Sequence, residues 1–145
     1  MLSWLFHEII GACSMNILVV GCSSIGSLLA CELSEEHNVV LVDSDKASFR
    51  DLPSGFNGET VAGNILDPDF LASAQKGSPD LAVIATMHEK VDVMCGQILV
   101  KVLKIPRVMV CVMDWMKAEI YRNLNLEILS LSRMAVDKIK EGIRV

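Results

Sequence analysis

The chain has 145 residues, of which 52% are hydrophobic and 21% charged, and its formal net charge at pH 7 is -5. This length suits one domain with a substantial core, and the composition excludes a disordered chain. The 13 Lys and Arg residues are scattered along the sequence, which argues against a partner that is a nucleic acid.

An apolar-rich N-terminal extension precedes Met15. His7 and Glu8 interrupt it, and no basic residue stands at its start, so it fits neither a signal peptide nor a direct membrane span. It is either a tail or a short helix that packs on a partner or membrane surface. We therefore divide the chain into an extension, residues 1–14, and one domain, residues 15–145, which we expect in the cytoplasm.

The first predicted strand, residues 16–21, leads directly into a glycine-containing loop. This loop, Gly21–Gly26, reads GCSSIG: the dinucleotide-binding pattern G-x-G-x-x-G with serine in place of the second glycine. The two retained glycines support the tight turn and the close packing of the following helix. Ser23 either contacts a phosphate or caps that helix.

The second predicted strand, residues 38–42, is followed by Asp43, 22 positions after Gly21. An acidic residue at about this distance binds the ribose hydroxyls in dinucleotide-binding folds, and it favours NAD over NADP. The alternative is a solvated acid that caps the next helix alongside Ser44.

Four more predicted strands alternate with segments of helical periodicity, at residues 59–62, 80–85, 107–112 and 126–129. Their mostly continuous apolar runs are typical of strands that are covered on both faces of a parallel sheet. We therefore predict an α/β fold, a Rossmann-like doubly wound sheet of six parallel strands in three αβα layers.

Local signals predict where the helices begin and which faces they bury. Asp67 before Pro68 indicates a capped start, and the segment 86–89, TMHE, has the spacing of a capping box. Two apolar stripes, in the first and last helices, are predicted to lie in the core. The stripes consist of Ile25, Leu28, Leu29 and Leu33, and of Leu131, Met134, Ala135 and Ile139.

No pattern of catalytic or metal-binding residues emerges from the sequence. The five cysteines lie in apolar segments without a C-x-x-C pair, which predicts buried thiols in a reducing compartment. The three histidines have no partner at metal-ligand spacing. No nucleophile and base with an orienting third group can be recognised either, so the sequence offers no candidate for a catalytic or metal site.

From about Met15 to its end, the chain resembles the nucleotide-binding N-lobe of RCK or KTN domains, also described as TrkA-N-like. These domains are cytoplasmic regulators of Trk- and Ktr-type potassium uptake systems and of some potassium channels. The resemblance rests on the order and spacing of several short segments. They are 16–26, Asp43, 63–68 (GNILDP), 85–86, 106–108 (PRV) and 118–121 (AEIY).

The resemblance implies regulation rather than catalysis. In such proteins NAD, NADH, ATP or ADP binds at the strand tips, and dimers assembled into rings act on a membrane potassium transporter subunit. The location implied is cytoplasmic, peripheral at the inner membrane through that partner. The nucleotide-binding residues implied are Gly21, Cys22, Ser23, Ser24, Ile25, Gly26, Asp43, Ser44, Asn64, Ile65, Ala85 and Thr86.

The chain departs from this family's pattern at four positions besides Ser23. Ser24 stands where a basic residue is common, Asn64 where an Asp is common, Asp92 where an Asn is common, and Cys111 where an Arg is common. Two cations that could pair with phosphate are thus missing and one carboxylate is added, which predicts weaker binding of a polyphosphate.

Apolar stripes on the helices after the fourth and fifth strands are wider than one sheet face requires. We expect them to contribute to a homodimer or a higher homo-oligomer, the alternative being burial within one subunit. The residues are Val91, Met94, Cys95, Ile98, Leu99, Val102 and Leu103, and Trp115, Met116, Ile120, Tyr121 and Leu124.

Three functions remain open from the sequence. The first is a nucleotide-sensing regulatory subunit of a potassium transporter or channel. The second is a small NAD-dependent oxidoreductase or a fragment of one, against which the lack of a substrate domain counts. The third is a dimerisation module that keeps the Rossmann scaffold but has a degenerate pocket.

Overall fold

The computed structural model describes residues 13–75 and 77–144, and within them it confirms the predicted doubly wound α/β fold. The strands form one parallel sheet in the order β3-β2-β1-β4-β5-β6. Each predicted strand boundary lies within one residue of the observed one. The strands are β1 (Asn16–Val20), β2 (Asn38–Asp43), β3 (Glu59–Ala62), β4 (Leu81–Ile84), β5 (Val108–Val112) and β6 (Glu127–Ser130).

Helices cover both faces of this sheet, which gives the three predicted layers. The helices are α1 (Ser24–Leu33), α2 (Pro68–Ala74), α3 (Glu89–Lys101), α4 (Trp115–Tyr121) and α5 (Leu131–Ile143), with a 3-10 helix at Lys46–Asp51. One face of the sheet packs against α2, α3 and α4, and the other against α1, the 3-10 helix and the start of α5.

The strand order reverses at β1, because the chain continues from β1 to β2 on one side and returns from β3 to β4 on the other. In open parallel sheets a crevice opens at such a point, beyond the carboxyl ends of the strands, and ligands bind there. The loops after β1 and β4 border this crevice.

The predicted N-terminal extension cannot be assessed, since residues 1–12 lie outside the described part of the chain. Within that part, no helix is long and apolar enough to cross a membrane.

The core prediction for α1 is only partly correct. Its buried residues are Gly26, Ser27 and Ala30, while Leu28 is 55% exposed. The other three predicted residues, Ile25, Leu29 and Leu33, are half-buried and pack against the core as expected. Small side chains let a helix approach the sheet closely, and in α1 they are the residues that become fully buried.

The core prediction for α5 is wrong beyond its first residue. Leu131 is half-buried against the sheet, but α5 has no fully buried residue, and Met134 and Ile139 are 54% and 61% exposed. The described elements contact this helix at its start and leave its later apolar side chains largely exposed, so its periodicity has no core to match.

The helix-start signals have mixed outcomes. Asp67 caps α2, as predicted, by accepting a hydrogen bond from the N–H of Asp69. The predicted capping box is wrong, because α3 begins after His88, which makes no side-chain cap. The hydroxyl of Thr86 instead donates to the carboxylate of Asp92.

The cysteine prediction holds for three of the five residues. Cys22, Cys95 and Cys111 are buried and unpaired, whereas Cys31 is half-buried and Cys13 is exposed.

Candidate functional site

The glycine loop after β1 has a shape that only glycine permits at two positions. Gly21 has a φ of 104°, and a Cβ there would lie 2.5 Å from the backbone nitrogen of Thr86. A Cβ on Gly26 would overlap the carbonyl oxygen of Gly21. Both glycines are therefore required by contacts inside the protein, the first for the turn and the second for packing of α1.

Ser23 uses its side chain within the protein. Its oxygen accepts a hydrogen bond from the N–H of Gly26 at 3.1 Å and so caps α1, and its hydroxyl donates to the carbonyl oxygen of Ala85 at 2.6 Å. A serine hydroxyl has one hydrogen to donate, so in this arrangement no donor is left for a phosphate. Of the two roles predicted for Ser23, the geometry favours the cap.

Asp43 joins the end of β2 to the glycine loop. Its Oδ2 accepts from the N–H of Cys22 at 2.7 Å, and its Oδ1 accepts from the N–H of Asp45 at 2.8 Å. Each carboxylate oxygen can accept a second hydrogen bond, which leaves capacity for two ribose hydroxyls. The alternative prediction of a helix cap by Asp43 with Ser44 is wrong, because Asp45 caps the 3-10 helix and Ser44 is exposed.

The loop after β4 is held by a buried carboxylate. Asp92 of α3 has no exposed surface and accepts hydrogen bonds from the hydroxyl of Thr86 and from the N–H of Met87, the latter at 3.1 Å. Met87 has a φ of 71°, a conformation that costs free energy for a residue other than glycine. Asp92 therefore stabilises a strained turn beside the crevice.

The loop after β3 lies one strand further out. Asn64 is exposed, and its Oδ1 accepts from the N–H of Leu66 at 3.0 Å. Ile65 is 6% exposed and belongs to the core. Its side chain therefore cannot face the crevice, and any contact with a ligand would come from its backbone.

The structure brings most of the sequence-predicted site residues together at the carboxyl ends of β1, β2 and β4. Three present exposed side chains, namely Ser24, Ser44 and Asn64, and four are half-buried, namely Ser23, Ile25, Asp43 and Thr86. The remaining five, Gly21, Cys22, Gly26, Ile65 and Ala85, are buried. A ligand at this edge would meet mainly backbone N–H groups and a few small polar side chains.

The sequence model of the TrkA-N domain matches residues 17–130, which include the whole glycine loop and all six strands apart from the first residue of β1. The chain belongs to the TrkA-N domain family. A curated relative, the Trk system potassium uptake protein TrkA from Streptomyces coelicolor, is 27% identical over 126 residues. The match covers 86% of this chain and 56% of that protein, so the chain spans little more than half the length of the relative.

Solved structures share the fold of this TrkA-N domain. The NAD(P)-binding domain of an exopolyphosphatase-related protein from Archaeoglobus fulgidus superposes with a TM-score of 0.71 at 19% identity, covering 90% of this chain and 98% of that chain. GsuK has been solved bound to ADP and, as a channel, bound to NAD. Both GsuK structures have a TM-score of 0.68 at 16% identity and cover 92% of this chain, but 38% and 26% of theirs.

Burial shifts the pKa values of Asp92 and of two cysteines near it. Burial raises the pKa of the Asp92 carboxyl, while its hydrogen bonds and the nearby His88 act in the opposite direction. Burial, with the neighbouring Asp92, also raises the pKa of Cys95 to about 12 and that of Cys111. Both thiols therefore stay neutral at pH 7 and add no charge beside Asp92.

The left-handed turn at Met87 has no signal in the sequence, because methionine is not a residue that favours this conformation. Asp92 is recognisable from sequence only as an added charge, and its hydrogen bonds to the loop do not follow from spacing. Among the described residues, no group of three or more His, Cys, Asp and Glu side chains could hold a metal ion.

Proposed function

We propose that this TrkA-N domain is the nucleotide-sensing part of a cytoplasmic regulator of a membrane potassium transporter or channel. Family membership and the likeness to a potassium uptake protein support this role. The observation that carries it is the arrangement at the reversal of strand order. There the N–H of Cys22 in the glycine loop donates a hydrogen bond to the carboxylate of Asp43.

The proposed ligand is NAD or NADH, with ADP or ATP as the other candidates, bound without a catalytic step. The ribose hydroxyls bind the free lone pairs of Asp43. The phosphates lie at the start of α1, where the N–H groups of Ser24 and Ile25 have no partner within the helix and the helix dipole favours an anion. Solved NAD-bound and ADP-bound forms of GsuK, which shares the fold, are compatible with both ligand classes.

Asp43 also predicts which dinucleotide is preferred. A 2′-phosphate would place negative charge against its carboxylate, and like charges at this distance repel. We therefore expect NAD to bind more tightly than NADP.

Regulation would follow if the nucleotide prefers one geometry of an assembly. A ligand shifts such an equilibrium only by its difference in affinity for the two states. We propose a homodimer that forms through the α3/α4 surface, defined as Met94, Val102, Trp115, Met116 and Ile120. These side chains are between 56% and 72% exposed.

A second candidate function is a dimerisation module whose crevice binds no nucleotide. The hydrogen bonds of Ser23 favour this function. Its hydroxyl donates to Ala85, and its oxygen accepts from the Gly26 N–H at the start of α1, so neither donor is available to a phosphate. An oxidoreductase has less support, since no feature of the described residues would hold a substrate against a nicotinamide.

Calorimetric titration with NAD, NADH, ADP and ATP separates these functions. We expect saturable binding of at least one of them to the wild-type protein, and affinity that is reduced about tenfold or more in Asp43→Ala through loss of hydrogen bonds to a charged group. Asp114→Ala is the matched control, because Asp114 also follows a strand but caps α4. This variant should bind nucleotide with the affinity of wild type. If a folded protein gives no binding heat with any of the four nucleotides, the nucleotide-sensing function is wrong and the dimerisation module is the remaining candidate.

A further inference from the structure

The hydroxyl of Thr86, at the end of β4, uses its only hydrogen inside the protein. Its oxygen accepts from the N–H of His88 at 3.1 Å, and its hydrogen is donated to Oδ1 of Asp92. An ionised carboxylate can only accept hydrogen bonds. While Asp92 is charged, the hydroxyl hydrogen is therefore held by the carboxylate, and Thr86 has no donor for a ligand.

The second carboxylate oxygen of Asp92 determines where a proton would bind. Oδ2 accepts from the N–H of Met87 at 3.1 Å. Because that N–H can only donate, Oδ2 remains an acceptor in both protonation states, and the proton is added at Oδ1. Protonated Oδ1 then donates to the oxygen of Thr86, which has two lone pairs and uses one of them for His88. The hydrogen of the Thr86 hydroxyl is released and can point to another acceptor.

The turn that contains Thr86 adjoins the proposed nucleotide site. A Cβ on Gly21 would lie 2.5 Å from the backbone nitrogen of Thr86, and the hydroxyl of Ser23 donates to the carbonyl oxygen of Ala85 at 2.6 Å. Thr86 is half-buried at this contact with the glycine loop, whereas Asp92 has no exposed surface. Asp92 can therefore affect a ligand through this turn without touching it.

We propose that Asp92 is a positioning residue of the nucleotide site, because its protonation decides whether the Thr86 hydroxyl can donate to a bound nucleotide. This role rests on the nucleotide-sensing function proposed above. With Asp92 ionised, the hydrogen stays within the turn and the nucleotide binds less tightly. With Asp92 protonated, an oxygen of the nucleotide accepts it, so affinity rises as the pH falls.

The surroundings of Asp92 act on this equilibrium in both directions. Burial raises the pKa of the carboxyl, and the nearby His88 opposes the shift. The thiols of Cys95 in α3 and Cys111 in β5 stay neutral at pH 7, because burial raises their pKa values. Glu89, the other acid in the first turn of α3, is engaged by two side chains of α4. The proton therefore binds Asp92 at a higher pH than it binds an exposed aspartate, and His88 is the neighbour that the experiment must control for.

Calorimetric titration of wild type and Asp92→Asn with NAD and ADP, between pH 4 and pH 8, tests the proposal. The asparagine Oδ1 accepts from Met87 and its Nδ2 donates to Thr86, so the hydroxyl hydrogen is free at every pH. At pH 8 we expect the variant to bind about tenfold more tightly than wild type, and this difference should shrink as the pH falls. A pH trend of equal size in both proteins, as His88 or the ligand itself would produce, overturns the proposal.

Thr86 provides a second test through a pair of backgrounds. The gain in affinity from Asp92→Asn should persist in Thr86→Ser, which keeps a hydroxyl, and disappear in Thr86→Val, which has the same shape without one. Equal gains in both backgrounds would mean that Asp92 acts by its charge alone and would contradict the proposal. If Thr86→Val fails to fold, the pH profiles of wild type and Asp92→Asn decide.

Failure of this role can be distinguished from failure of the nucleotide site. If NAD or ADP binds wild type and Asp92→Asn with equal affinity at every pH, the site stands and the role of Asp92 is wrong. If neither nucleotide binds either protein at any pH, both proposals are wrong.

Discussion

At Ser23 one hydroxyl group connects three parts of the crevice, namely the glycine loop, the start of α1 and the end of β4. The same atoms that stabilise the loop take up the Gly26 N–H, a donor that a phosphate at the helix start could otherwise use. Stability and ligand binding are therefore opposed at this residue.

Ser23→Gly restores the full glycine pattern and tests this opposition. We expect the free energy of unfolding to fall by about 1–2 kcal/mol, from loss of the cap and of the bond to Ala85. Affinity for NAD should rise severalfold, because the Gly26 N–H becomes available. Urea unfolding and calorimetry measure the two quantities. Lower affinity in the variant would show instead that the Ser23 side chain binds the ligand.

Asp92 makes stability depend on pH. Burial raises its pKa in the folded state above the ordinary value of 3.8. The folded state therefore binds the Asp92 proton more tightly than the unfolded state does, and this difference stabilises the fold. The stabilisation is complete below the unfolded-state pKa, and it is lost as the pH rises through the folded-state pKa.

Asp92→Asn removes this titration and keeps a side chain of the same shape. Wild type loses the Asp92 contribution as the pH rises and the variant does not, so we expect the free energy of unfolding of the variant minus that of wild type to be larger at pH 7 than at pH 4. A difference for Asp92→Asn that stays constant between these pH values would refute the effect of burial on this carboxyl.

Among the elements, the β1 loop and α1 lie so close together that no Cβ fits between them at Gly26. A Cβ on Gly26 would overlap the Gly21 carbonyl, whereas a Cβ on Gly142 in α5 would have no neighbouring atom within 4 Å. The same substitution at the two glycines should therefore have opposite effects.

Gly26→Ala should lower the free energy of unfolding by about 3 kcal/mol or more through overpacking. Gly142→Ala should raise it by up to about 1 kcal/mol, because alanine restricts the unfolded chain and favours helix. Urea denaturation of both variants provides the comparison. Similar stabilities for the two would contradict the close contact of α1 with the loop.

The strands could be predicted from sequence because both of their faces are buried, so continuous apolar runs such as Ile17–Val20 mark them directly. Helix faces were harder to predict. In α1 the fully buried residues include Gly26 and Ala30, which hydrophobicity does not emphasise, while the predicted Leu28 is exposed. In α5 only Leu131 of the predicted stripe packs against the sheet, and Met134 and Ile139 are exposed. The hydrogen bonds of Ser23 and Asp92 depend on loops that meet only in the folded chain, and no local pattern encodes them.

For the whole molecule, the exposed apolar side chains fall mainly on two helical regions on opposite faces of the sheet. One is the α3/α4 surface, and the other is on α5, where Met134, Ile139 and Ile143 are between 54% and 75% exposed. Met and aromatic residues are enriched at protein interfaces, which favours the α3/α4 surface as the contact between two copies.

Ile120→Glu and Ile139→Glu distinguish these surfaces, since the two isoleucines are 72% and 61% exposed. We expect sedimentation velocity to show a dimer for the wild-type protein and for Ile139→Glu, and a monomer for Ile120→Glu, because a charge buried at an interface without a partner is costly. If Ile139→Glu dissociates the dimer and Ile120→Glu does not, the interface lies on α5 and the proposal for the α3/α4 surface is wrong.

The central claim, that a nucleotide binds where the strand order reverses, is tested most directly by amide NMR spectra recorded during titration with NAD. We expect the largest saturable shifts at Gly21–Gly26, Asp43 and Thr86, with small changes at Asn38 and Asn57 on the opposite edge. Saturable shifts that leave the glycine loop unchanged, or none with NAD or ADP, would contradict it.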